Sequence, residues 1–152
     1  MQDLKKQLLA AAEGGNADAQ FNLGVLLENR VDDNGRTIEG ATAQARRAES
    51  VKWLLSAAEQ DLPRAQLQLA EAYAAGVAAP KDQVKACGWF LVAIKKLSGV
   101  HRQRAGSGYD LVSSRLTSAQ ITTAMRFARR WKPPKAVHET GAGFRPLGKP
   151  SA

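Results

Sequence analysis

The sequence repeats itself at a distance, and such a chain builds the same small unit more than once. Ala11-Ala12-Glu13, Ala19-Gln20, Leu23-Gly24 and Leu27 return 46 residues later as Ala57-Ala58-Glu59, Ala65-Gln66, Leu69-Ala70 and Tyr73. A second match has a shorter interval. Lys52-Trp53-Leu54-Leu55-Ser56-Ala57 corresponds to Gly88-Trp89-Phe90-Leu91-Val92-Ala93, 36 residues on. The unit is therefore about 36 residues, and the first interval holds ten extra. These fall in Arg30–Gln44, rich in Asp, Asn, Gly and Thr, which predicts an enlarged surface loop over residues 30–44.

The periodicity inside each unit is helical. From Ala45 to Gln60 the apolar positions Ala48, Val51, Leu54, Leu55, Ala57 and Ala58 follow one face of a helix, with Trp53 beside it. Asp61-Leu62-Pro63 breaks that helix. Pro63 suits the first turn of the next one, where a missing N–H costs nothing, and Gly76 is placed to stop it. Gly14-Gly15-Asn16 makes the corresponding break in the first unit, between helices at Leu4–Glu13 and Ala17–Asn29. Gly24, inside a helix, costs about 1 kcal/mol against alanine, so close approach of a neighbouring helix is the expected compensation.

After Pro80-Lys81-Asp82 a further helix carries Val84, Ala86, Trp89, Phe90, Ala93, Ile94 and Leu97. Another is predicted from Val100 to Leu116, interrupted at Gly106-Ser107-Gly108. Thr117 and Gln120 form a capping box for the last helix. Its predicted apolar stripe is Ile121, Ala124, Met125, Ala128 and Trp131. The expected fold is all-α, a short right-handed solenoid of helix-turn-helix repeats with about seven helices and a capping helix at 117–131. The domain is predicted over 1–131, followed by a basic Pro/Gly-rich tail at 132–152 whose composition predicts disorder.

At these residues the chain resembles the Sel-1-like repeat family, a branch of the tetratricopeptide-like superfamily. That family's first repeat helix reads Ala-x-x-x-Leu-Gly-x-x-Tyr, matched by Ala19, Leu23, Gly24, Leu27 and by Ala65, Leu69, Ala70, Tyr73. Its second helix reads Ala-x-x-Trp-Tyr-x-x-Ala-Ala-Glu, matched by Trp53, Leu54, Ala57, Ala58, Glu59 and by Ala86, Trp89, Phe90, Ala93. The likeness covers about residues 4–131, and its departures are Leu27 for Tyr, Ala70 for Gly and Ile94 for Ala. It implies a non-enzymatic interaction scaffold or adaptor. A cysteine-rich branch credited with penicillin binding needs paired cysteines, which this chain lacks.

Little in the sequence suggests chemistry. Cys87 is the single cysteine, expected to be a buried inert thiol, and it excludes an intrachain disulfide. His101 and His138 are far apart, with no metal-ligand spacing around them. An EF-hand loop starting at Asp32 would need glycine at Thr37 and glutamate at Ala43, so Asp32-Asp33-Asn34-Gly35 fails that test. Gly141-x-Gly143 lacks the third glycine and the preceding strand of a nucleotide fingerprint. The expectation is no catalytic residue, no metal and no cofactor.

Two binding surfaces remain. By the superfamily's geometry, a groove for a peptide or partner domain would be lined by Asp18, Asn22, Asn29, Arg64, Gln68 and Glu71. The alternative lies in the charge distribution. Residues 1–94 carry ten Lys/Arg against twelve Asp/Glu, whereas residues 95–152 carry twelve against two. A patch at Arg126, Arg129, Arg130 and Lys132 could hold an anionic surface: nucleic acid, anionic lipid or an acidic protein. No stretch reads as a membrane span. The compartment is left open: cytoplasmic for a full-length chain, periplasmic or secreted if a signal peptide has been removed. The uncapped first helix is expected to favour a homodimer.

Overall fold

The computed structural model describes residues 2–29, 31–76 and 81–134. Among these, seven helices follow one another: α1 (Gln2–Glu13), α2 (Ala17–Glu28), α3 (Gly40–Glu59), α4 (Pro63–Ala75), α5 (Gln83–Ile94), α6 (Gly99–Ser113) and α7 (Ser118–Arg130). Each packs on its predecessor up to α6, and α7 returns to lie on α5. The chain is an all-α helical-repeat stack, as the periodicity predicts.

Local chemistry sets the helix ends. The Asn16 side chain accepts from the Ala19 N–H at 2.8 Å to start α2, and Asp82 accepts from Lys85 N–H at 3.0 Å to start α5. Thr117 and Gln120 satisfy each other's backbone N–H groups at the start of α7, the predicted capping box. Pro63 opens α4, and Gly76 closes it in the left-handed conformation with φ 66°.

Two expectations change at the element level. Helix α3 begins at Gly40, five residues before the predicted start, so the insertion loop is shorter than 30–44. Apart from Gly40, the Asp, Asn and Gly that signal a loop are confined to 32–35, whereas Ala41, Ala43 and Ala45 favour helix. Asp32 organises what remains: its carboxylate accepts from the N–H groups of Asn34 and Arg36, at 2.8 and 2.9 Å. Helix α6, in turn, runs without a break through Gly106-Ser107-Gly108. A Cβ on Gly108 would lie 2.5 Å from the Phe90 ring, so that glycine is there for packing. Gly24 has the same role, as predicted. A Cβ there would meet Leu54 at 2.8 Å, and the carbonyl of Gly24 accepts from Ser50 Oγ at 2.7 Å.

The repeated Ala-Ala-Glu…Ala-Gln pattern has a physical reason. Gln20 and Gln66 are fully buried. Each donates its Nε2 at 3.1 Å to the carbonyl of the second alanine in its own unit, Ala12 and Ala58 respectively. The side chain thereby adds a second donor to a carbonyl near the end of the preceding helix, which also accepts from the Gly15 or Asp61 N–H of the turn that follows. The next unit then latches on. Gln60 Nε2 donates to Gly15 O at 2.9 Å and to Gln20 Oε1 at 2.8 Å. One repeat on, the equivalent position is Lys96, which pairs with the carboxylate of Asp61, the equivalent of Gly15. Gly15 and Asp61 also share a positive φ, 97° and 67°.

Trp53 and Trp89 are both buried, at 5% and 6% exposure. Trp53 groups with Ala12, Ala19, Leu23, Leu27 and Leu8 at the N-terminal end. Trp89 belongs to the larger core around Leu54, Leu69 and Phe90 and is covered by α7. Phe127 and Trp131 meet it edge-on, with ring centroids 5.4 and 5.8 Å away. The predicted α7 stripe needs one correction. Met125 is 41% exposed, while Phe127 turns toward α5, where the absence of a side chain on Gly88 makes room for its ring. Cys87 is buried and unpaired as expected, and burial pushes its thiol pKa up.

Candidate functional site

The first-type helices α2, α4 and α6 lie side by side, and three pairs of side chains tie them into one row. The Arg64 guanidinium sits over the Phe21 ring, 4.9 Å from its centroid. Gln68 Nε2 donates to Glu28 Oε2 at 2.8 Å. Arg104 on α6 donates two hydrogen bonds to the Glu71 carboxylate. The row thus alternates aromatic, amide and ionic ties.

Of the six side chains predicted to line a groove, Arg64, Gln68 and Glu71 are the α4 members of these ties. Asp18 and Asn22 are exposed on α2. Asn29 caps the C-terminus of α2, its N–H donating to Leu26 O at 3.2 Å, and its side chain stays exposed. It also lines a shallow depression with Leu27, Glu28, Ile38, Ala43, Arg46 and Arg47. Sequence reasoning missed the partner side: Phe21, Glu28 and Arg104. Phe21 and Glu28 are seven residues apart on one helical face, a spacing that could have flagged them.

The electrostatics of the row centre on Glu28. Partial burial raises its carboxyl pKa above the ordinary 4.5, the Gln68 hydrogen bond pulls it back, and the like charge of Glu71 adds to the rise. Glu71 in turn holds Arg104 more firmly protonated through their hydrogen bonds. At the other surface, Arg126, Arg129 and Arg130 are exposed on α7 and Lys132 lies just beyond its end. His101 is exposed on α6. Among the described residues no group of three or more His, Cys, Asp or Glu comes together as metal ligands would. No described helix is long and apolar enough to cross a membrane. His138, Gly141-x-Gly143 and the tail from residue 135 lie outside the described residues.

No protein-family model matches the chain, and neither does any curated protein. Among solved structures the chain is similar to a protective antigen present in uropathogenic Escherichia coli strains and displaying an SLR fold. The TM-score is 0.66 at 27% identity, over 82% of this chain. That alignment takes in only 24% of the antigen, so the chain spans about a quarter of its neighbour's length. Helix order, repeat residues and this neighbour agree. The chain is an all-α helical-repeat solenoid with the Sel1-like repeat fold.

Proposed function

We propose that this protein is a non-enzymatic interaction scaffold which holds an extended peptide or partner segment across the α2–α4–α6 row. The carrying observation is the division of labour along that row. Arg64, Gln68 and Glu71 are engaged with neighbouring helices and fix the spacing of the surface. Asp18, Asn22 and Asn29 stand exposed beside them. Amide and carboxylate side chains at successive turns can donate to and accept from a peptide backbone, while the ties keep the surface pre-organised, which lowers the entropy cost of binding. Exposed Val25 on α2, and Val100 and Leu111 on α6, supply apolar contacts at the two margins.

The similarity to a repeat-fold antigen supports a binding role over a catalytic one, because the shared feature is a stacked helical surface. The test is to select peptides against the whole chain by display and compare affinities for wild type and Asn22→Ala. A truncated amide that bonds the ligand backbone should weaken binding by about 1 kcal/mol, roughly fivefold. Unchanged affinity for every selected peptide would remove this surface from consideration.

A further inference from the structure

Helix α7 carries its second surface on the side turned away from the core. Ala124 and Ala128 are buried, with Trp131 half-buried beside them, and the opposite side presents Arg126, Arg129 and Arg130. Arg126 and Arg130 are one helical turn apart, and Arg129, three residues after Arg126, flanks Arg126 on the side away from Arg130. Among the described residues the ion pairs are Lys96–Asp61 and Arg104–Glu71, so none of the three arginines has an acidic partner. The nearby Thr122 and Thr123 hydroxyls donate within the helix, to Ser118 O at 2.9 Å and Ala119 O at 3.0 Å. Lys95 already donates to Ala128 O at 2.8 Å and serves the helix end. Like charges at i, i+4 repel by a few tenths of a kcal/mol, which offsets part of what Arg129 and Arg130 gain from lying at the C-terminal end of the helix.

The surface beside these charges is apolar. Met125 borders the arginine face on one side and Phe127 on the other, 41% and 40% exposed. The Phe127 ring is packed edge-on against Trp89, 5.4 Å between centroids, so part of it is already engaged with the core. Such a strip, three guanidinium groups between two apolar side chains, complements an acidic amphipathic protein segment. Carboxylates one turn apart accept bidentate bonds from Arg126 and Arg130, and apolar neighbours of the acid pack on Met125 and Phe127.

We infer that the outer face of α7 is a second docking surface, specific for an acidic helical segment of a partner protein and separate from the α2–α4–α6 row. The experiment uses the full chain and a fluorescent helix-forming peptide with glutamates one turn apart flanked by leucines. Its arms are a DNA duplex and phosphatidylserine-containing vesicles. Wild type should bind the peptide in a salt-sensitive way. Arg126→Glu/Arg130→Glu should weaken it roughly a hundredfold, as expected for juxtaposed like charges. Asn22→Ala should leave this affinity unchanged, which separates the result from the groove reading. Because all three arginines are exposed, circular dichroism of the variant should match wild type. Equal peptide affinity in the double variant, or binding to duplex or vesicles in preference to the peptide, overturns the proposal.

Discussion

Gln20 and Gln66 show how one polar side chain can set the register of a repeat. Each is buried and bonded to the carbonyl eight residues earlier. Gln66→Leu keeps much of the volume but removes one buried hydrogen bond to Ala58 O, which retains the Asp61 N–H, so unfolding in urea should show a loss of about 0.5–1.5 kcal/mol. The glycines of α6 make a paired test. Gly108→Ala drives a methyl into Phe90 and should cost about 1–3 kcal/mol, whereas Gly106→Ala meets nothing within 4 Å and should stabilise by up to about 1 kcal/mol. In the sequence Gly106-Ser107-Gly108 reads as a break, because composition cannot tell a glycine that ends a helix from one that admits a ring. Glu28 gives a pH signature. Its pKa is raised in the folded state, so the native protein binds that proton more tightly, and this contribution to stability falls as pH rises from 4.5 through the folded value. Glu28→Gln retains an acceptor for Gln68. Thermal unfolding across this range should show a shallower decline for the variant and a higher melting temperature at neutral pH.

At the scale of elements, the two tryptophans are equivalent in sequence but not in surroundings. Trp53 closes the N-terminal cluster beneath α1 and α2, while Trp89 is sandwiched by α7. Replacing either by alanine should cost about 3–5 kcal/mol, as for other large buried aromatics. A near-neutral result at one site would mean that its unit does not depend on its anchor. The helices, their breaks and the capping box were legible because each is signalled by short-range chemistry: Asn16, Pro63, Gly76, Asp82 and Thr117. The start of α3 and the orientation of Phe127 were not. The first depends on how far a weakly signalled alanine run extends, with Glu39 giving no side-chain cap. The second depends on the space that Gly88 leaves on a different helix. The ties Arg64–Phe21, Gln68–Glu28 and Glu71–Arg104 are long-range in sequence, and no local pattern announces Arg104.

For the whole molecule, the asymmetry of the stack matters most. Its C-terminal end is closed by α7, while at the other end Leu4 is 67% and Leu9 37% exposed on α1. The antigen that the chain resembles is about 3.4 times as long, and 24% of it aligns with this chain. Charge follows the same axis, with the excess of Lys and Arg gathered after residue 94. This arrangement separates an amide-rich face on α2 and α4 from a guanidinium-rich face on α7, and the two offer different chemistry to partners. We propose that an extended segment lies across the α2–α4–α6 row. Amide hydrogen exchange of the full chain, with and without a display-selected peptide, tests it most directly. Slowed exchange is expected in α2 and α4, around Asn22 and Gln68, with α3 and α5 unchanged. Protection confined to α3 and α5, with α2 and α4 unaffected, would contradict it.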